Sequence, residues 1–381
     1  MNNKIKKIIN EFKFKGEFLE IEENNQGNIN KTYVLKYKDG DRINKYLIQK
    51  INNSVFREPY IVMENIDKVT HYINNKLKEM NDTKHKTLEI IKTKNNDNLF
   101  VYINEEGEKE YYRAYSYVEN CYSYDNFKEE EDALLIAYNA GKAFGFFQRI
   151  LNDFPISEIS ETIPNFHNTP KRFEDFIESI KKDVKKRALE LPKEIVTLIT
   201  KIKECSIIMD KLGKTIPIRV CHNDTKVNNV LIDKETKEAI AVIDLDTVMP
   251  GSGLFDVGDG IRSSAAKTLE DDTKLEEVGI DIDIAKEYLK GYLEEMSEYL
   301  TDDEVKYMAL SIKIITTEQC LRFLTDYLNG DTYFKIKYNT HNKDRFLNQY
   351  YLLMDIEKKL NELDKYINKT NKEIKRKCKI K

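Results

Sequence analysis

The 381-residue sequence sets 62 Lys and Arg against 66 Asp and Glu, a net charge of -4, with 40% hydrophobic residues. That length allows two domains or one bilobal unit with an ample core, and that charge balance excludes a global attraction to nucleic acid or an anionic membrane. Five cysteines, odd in number and without a C-x-x-C spacing, argue against a disulfide framework or a structural zinc site and fit a reducing compartment.

The opening MNNKIKKIINEFKF is charged and lacks an apolar signal region, and no run reaches membrane-spanning length. A cytoplasmic protein with no membrane or nucleic-acid partner is therefore expected, and a monomer is consistent with the sequence. NNQGNINKTYVL (24–35) is a polar turn leading into the first clear strand. TYVLKYK (32–38) and KYLIQKI (45–51) flank the turn dipeptide Asp39-Gly40, and NLFVYI (98–103) and EYYRAYSY (110–117) flank a second turn at Gly107. Between these pairs Val62, Ile66, Val69, Ile73 and Leu77 mark one face of a helix.

From about residue 130 helical patterns dominate. Ala140, Phe144, Phe147, Leu151 and Phe154 form one stripe, and Thr301 with Glu304 fits a capping box opening a helix through Leu328. NNVLID and EAIAVID, within 228–244, read as a short hairpin interrupting the helices. The basic tail NKEIKRKCKIK (371–381) reads as a solvated, frayed end. The expected architecture is α+β and bilobal. Residues 1–118 would form a small lobe with an antiparallel sheet and one main helix, and residues 119–381 a larger, mostly helical lobe.

The chemistry concentrates in VCHNDTKVNNVLID (220–233). His222, Asp224 and Asn229 match the H-x-D-x-x-x-x-N spacing of a kinase catalytic loop, with Lys226 two residues after the Asp. Asp224 suits the proton of an attacking hydroxyl, Asn229 offers a neutral oxygen to a metal, and Lys226 can offset charge on a transferred phosphoryl group. His222 reads as a core histidine that holds the loop. Magnesium requires hard oxygen ligands, and VIDLDTVMPG supplies Asp244 and Asp246 at the exit of an apolar strand, where i and i+2 would share a face. Asp244 is the expected metal ligand, and Asp246 an accessory to it or a ligand of a second ion. Each residue alone also suits an ordinary turn; the ordered set favours catalysis.

No G-x-x-x-x-G-K-[ST] is present, which excludes a P-loop. The turn at 24–35 can lay backbone N–H groups over phosphates or be a plain hairpin, and both readings stay open. Lys50 stands where a kinase fold carries its phosphate-binding Lys, with Glu64 on the next helix as a partner. A solvent-facing Lys and Glu is the competing account.

HNDTKVNNVLID followed by AVIDLDTVMPGSGLFDVGDGIR resembles the aminoglycoside-phosphotransferase-like kinases, which share the bilobal protein-kinase-like fold. Within that family the resemblance is nearest to its N-acetylhexosamine 1-kinases. GNINKTY, LIQKINNSVF, AGKAFGFFQ, FHNTPKRFEDF and CLRFLTDYLNGDTYFKIKY extend it over nearly the whole chain. The resemblance implies ATP and Mg2+ as cofactors and a small-molecule sugar, an N-acetylhexosamine phosphorylated on its anomeric hydroxyl, as substrate. It implies Asp224 as the catalytic base, Asn229 and Asp244 as magnesium ligands, and a phosphate-covering loop of Gly27, Asn28, Ile29, Asn30 and Thr32. The hinge at 116–120, including Tyr117 and Glu119, would read the adenine edge. Arg322 and Tyr333 would hold the sugar, and Asp256 and Asp259 would brace the catalytic loop. The alternatives are another acceptor on the same fold (an aminoglycoside, choline, homoserine or methylthioribose) or an inactive nucleotide-binding scaffold.

Overall fold

A computed structural model describes residues 3–24, 30–124 and 127–378. Helix α1 (Asn3–Ile9) is followed by strands β1 (Glu17–Asn24), β2 (Lys31–Asp39) and β3 (Arg42–Ile51), helix α2 (Pro59–Glu79), and strands β4 (Ile90–Ile91), β5 (Phe100–Ile103) and β6 (Lys109–Ser116). The strands pair antiparallel in the order β1-β2-β3-β6-β4, with β5 also on β6. Gly40 takes φ 61° in the tight connection from β2 to β3, a conformation that costs glycine little.

The two faces of this sheet have different partners. Leu35, Tyr46, Ile48, Tyr112 and Ala114 point to α1 and join Ile8 and Ile9 in a small outer core. The inner face, with Ile51 and Tyr115, joins the main core. That core is continuous from the inner stripe of α2 (Val62, Ile66, Val69, Ile73, Leu77) into the helical lobe, so α2 seats the sheet on the rest of the protein.

The chain then crosses at 117–120 into β7 (Cys121–Tyr122), α3 (Ala133–Ile150), α4 (Thr169–Lys182), the short α5 (Pro192–Thr200), α6 (Ile202–Cys205) and α7 (Ile207–Lys211), and β8 (Arg219–Cys221). Next come β9 (Val230–Asp233), β10 (Ala239–Val242), β11 (Met249–Gly251), α8 (Gly253–Ser264), α9 (Ile282–Met296), α10 (Asp302–Leu328) and α11 (His341–Cys378). The architecture is the expected one: α+β, with an antiparallel sheet first and a helical part after it. The hairpin forms as β9–β10, with β7 as a third strand. The Thr301–Glu304 capping box forms at the start of α10, and the Glu304 carboxylate also pairs with buried Arg219 (2.7 Å).

Two sequence expectations change. Within the described residues the basic tail is not frayed: α11 runs through Cys378, with Asn371 buried and Ile374 packed on the core. The stripe on α3 outlasts its helix, because Leu151 and Phe154 lie beyond Ile150 yet stay buried. No helix among the described residues is long and apolar enough to cross a membrane.

Helices α3 and α9 approach closely at glycines. A Cβ on Gly141 would sit 2.0 Å from the Tyr288 carbonyl oxygen, and one on Gly291 would sit 2.0 Å from that of Tyr138. Gly141→Ala should therefore destabilise the protein by about 2 kcal/mol in urea unfolding, because overpacking against backbone outweighs the gain in helix propensity. Unchanged or higher stability would show that the two helices can separate at no cost. The contact matters for the site because α3 also carries Phe144, Phe147 and Gln148 to the catalytic loop.

Candidate active site

The polar loop 222–229 is suspended between β8 and β9, and its geometry is set by what surrounds it. Strand β11 pairs with β8 (Met249 opposite Cys221), which returns the segment after β10 to the base of the loop. Asp256, near the start of α8, accepts the backbone N–H groups of His222 (2.9 Å) and Asn223 (2.8 Å) and the Gln148 amide (2.9 Å). Burial raises its pKa, and these donors oppose the rise. His222 is fully buried, its ring edge-on to Phe144 and Phe147. Its Nε2 donates to the Ile243 carbonyl (2.8 Å), and Nδ1 accepts the Asp224 N–H (3.3 Å). It is the core histidine expected from the sequence. Asp259 pairs with Arg262 (2.8 Å), and its charge also helps hold Lys226 of the loop protonated.

On this frame Asp224 pairs with Lys226 (3.0 Å) and accepts from Asn229 Nδ2 (3.2 Å). Burial alone would raise the Asp224 pKa, but Lys226, helped by His222 and Asn229, more than reverses this and keeps the carboxyl ionised. Lys226 is in turn held in its charged form, chiefly by Asp224. The pair is thus a carboxylate stabilised by an ammonium that is itself partly open to solvent.

Asn229 places its backbone oxygen on the Ile243 N–H (2.9 Å), one residue before Asp244. Asp244 adopts left-handed φ 59° and ψ 57°, a conformation rare for a non-glycine residue and concentrated at functional sites. The turn at Asp244 breaks the extended chain, so Asp244 and Asp246 do not share a strand face as expected. Asp246 turns inward, buried, onto the Arg113 guanidinium and the Asn30 amide (2.7 Å). Asp244 opens toward solvent from a site enclosed by protein, and that enclosure, with Asp246 and Asp224, pushes its pKa up to about 7.

A carboxyl raised by neighbouring carboxylates is one that a cation would return to its charged form. Among the described residues no cluster of three His, Cys, Asp or Glu side chains suits a metal. Magnesium at a phosphate site needs only one or two protein oxygens, the rest coming from phosphates and water. Asn229, whose Nδ2 is committed to Asp224, and Asp244 fit that requirement.

Arg113 and Gln49 are site residues that the sequence reading missed. Arg113 is a buried charge on β6 and joins Asp246 to Gln49 (2.9 Å), which in turn donates to Thr32 (3.0 Å). Burial works against the Arg113 charge, and Asp246 more than restores it. A lone Arg inside the aromatic strand YYRAYSY was the available signal. Lys50 lies one residue from Gln49 and so faces the other side of the sheet. There it pairs with Glu110 (2.8 Å), while Glu64 pairs with Lys68 (2.6 Å). Of the two readings open for Lys50 and Glu64, their pairing is not the one formed, and Gln49 takes the inward position.

Of the expected phosphate loop, Asn30 and Thr32 lie on this network, whereas Gly27, Asn28 and Ile29 fall outside the described residues. At the hinge, Tyr117 and Glu119 are exposed. The Tyr117 N–H is spent on the Lys45 carbonyl (3.1 Å), and the Glu119 side chain pairs with Lys45 (3.3 Å).

Arg322 and Tyr333 line a cavity of about 300 Å³ between α4 and the end of α10, together with Arg172, Asp326 and Phe334. His167, next in the chain to Phe166, contacts Glu318 of α10 (2.8 Å) and the Asn223 carbonyl of the catalytic loop (3.3 Å). Arg322 lies over the rings of Phe166 (5.4 Å) and Phe334 (5.5 Å). Tyr333 is 63% exposed, so the core role open to it does not apply.

Residues 20–295 match the phosphotransferase enzyme family. Solved structures with the same fold include an amicoumacin kinase in complex with AMP-PNP, Ca2+ and its ligand (TM-score 0.57, 13% identity, 94% of this chain and 93% of that chain). An aminopropanol kinase associated with a microcompartment is similar (0.56, 13%, 94% and 98%). So is a choline kinase from Cryptosporidium parvum (0.53, 14%, 92% and 92%).

Proposed function

The chain belongs to the phosphotransferase enzyme family, and from that premise we propose that it is an ATP- and magnesium-dependent kinase of the anomeric hydroxyl of N-acetylhexosamines. The observation that carries the reading is the Asp224–Lys226 pair, set beside the oxygens of Asn229 and Asp244 on a loop braced by Asp256. The acceptor assignment rests on the cavity of Arg322, Tyr333 and Phe334: its carboxylates are engaged, Asp175 with Lys171, Glu178 with Lys182 and Asp326 with backbone N–H groups, which leaves aromatic faces and a guanidinium for a sugar ring and its oxygens.

Asp224 would orient the O1 hydroxyl and take its proton as O1 attacks the γ-phosphorus and the bond to the β-phosphate oxygen breaks, releasing ADP. Magnesium on Asn229 and Asp244 would supply charge neutralisation across the phosphates. Lys226 keeps Asp224 ionised and would offset the negative charge that spreads over the transferred group. Asn30, held on Asp246, anchors the end of the loop expected to cover the phosphates.

The test is turnover with Mg-ATP and N-acetylglucosamine or N-acetylgalactosamine, with the product followed by phosphorus NMR. A phosphorus signal coupled to the anomeric proton is the expected result. A folded protein that binds Mg-ATP, leaves both sugars untouched and phosphorylates choline, aminopropanol or an aminoglycoside would replace the sugar with that acceptor.

A further inference from the structure

The cavity between α4 and α10 holds a second guanidinium with no part in the transfer step. Arg172, in the first turn of α4, lines it together with Arg322. Both engage one residue: Arg172 Nη2 donates to the Phe166 carbonyl (2.9 Å), and Arg322 stacks on the Phe166 ring. Burial, then the charge of Arg322, lowers the pKa of Arg172.

Among the described residues neither arginine forms an ion pair. Arg322 Nη1 donates to Gln319 Oε1 (2.9 Å), and Arg172 Nε is buried without a hydrogen-bond partner. The nearby carboxylates offset part of the Arg172 charge but make their hydrogen bonds elsewhere. Glu318 accepts from His167 and Thr169, Asp175 pairs with Lys171, and Asp326 accepts the N–H groups of Thr332, Tyr333 and Phe334. A buried, unmatched guanidinium N–H beside a second cation is costly in the free protein, and a ligand that brings acceptor oxygens removes that cost.

We propose that Arg172 and Arg322 form an oxygen-binding subsite in which Arg172 determines specificity, gripping a carbonyl-type oxygen group of the acceptor and turning away an ammonium. The proposal rests on the kinase reading of this site and deepens it. An acetamido group and a carboxylate share the required chemistry, a planar oxygen acceptor matched to the guanidinium fork. Phe166, which both arginines touch, precedes His167, whose ring reaches the carbonyl of Asn223, the residue before Asp224 (3.3 Å).

The experiment measures kcat and KM for the full chain and for Arg172→Gln and Arg172→Lys. The acceptors are N-acetylglucosamine, glucosamine, glucuronic acid, choline and kanamycin. The expected result is that the unaltered protein uses N-acetylglucosamine, glucuronic acid or both, which also distinguishes the acetamide from the carboxylate. Arg172→Gln should raise KM for that acceptor about tenfold or more, narrow its advantage over glucosamine and leave KM for ATP within about twofold. Arg172→Lys should fall between, since it keeps the charge but not the fork.

Use of glucuronic acid alone would overturn the N-acetylhexosamine reading and leave the subsite standing. An unchanged acceptor preference in Arg172→Gln would overturn the subsite and leave the kinase reading standing. Turnover of choline or kanamycin alone, or of no member of the panel, would overturn the subsite, as would an equal loss of ATP affinity and acceptor affinity in both variants.

Discussion

Asp224→Asn is expected to lower kcat by about 10²- to 10⁴-fold, the range for losing a positioned general base, while the protein stays folded and still binds Mg-ATP. The substitution keeps the shape of the side chain and removes the charge that Lys226 faces at 3.0 Å. It also removes the acceptor for a departing proton. The backbone around position 224 should not move, because Asp256 fixes the N–H groups of the two preceding residues and His222 fixes that of Asp224 itself. The measurement is single-turnover phosphoryl transfer, with nucleotide affinity followed separately. Near-normal turnover would remove Asp224 from the reaction, and a parallel loss of nucleotide binding would mean that the substitution had disturbed the loop.

The second large effect is expected from Arg113→Met, which should cost about 3–5 kcal/mol of stability, the usual result of stranding one partner of a buried ion pair. Asp246 would stay buried, with the Asn30 amide as its remaining side-chain donor among the described residues. The pair also links β6 of the sheet to the turn after β10, so its loss should loosen the sheet from the catalytic segment. The double variant Arg113→Met/Asp246→Leu should recover much of the loss in urea unfolding, because no charge is then left unpaired. A single variant within about 1 kcal/mol of the unaltered protein, or a double variant no better than the single, would show that the pair does not join the two parts.

The elements legible in the sequence each rest on a local signal. The Asp39-Gly40 turn, the 3.6-residue stripe of α2, the Thr301–Glu304 box and the β9–β10 hairpin are all written in neighbouring residues, and all form. Strand β1 was not read, because it lies at the sheet edge with its side chains mostly exposed, so little apolar alternation marks it. The helical tail was misread for a related reason. Its charge suggests a solvated end, while a few buried contacts, Ile367 and Asn371 among them, keep the helix on the core.

At the site, sequence alone determined the order and chemical type of Asp224, Lys226, Asn229 and Asp244, since their spacing along one loop and hairpin leaves little freedom in how they converge. The tertiary structure decided everything that depends on which way a side chain faces across the sheet or between lobes. It turned Lys50 outward to Glu110 and Gln49 inward, sent Asp246 to Arg113, and brought Arg172 beside Arg322 from helices far apart in the chain. Strand periodicity says that adjacent residues oppose each other, but it does not say which face is buried. That choice is made by α1 covering one side of the sheet and the helical lobe covering the other.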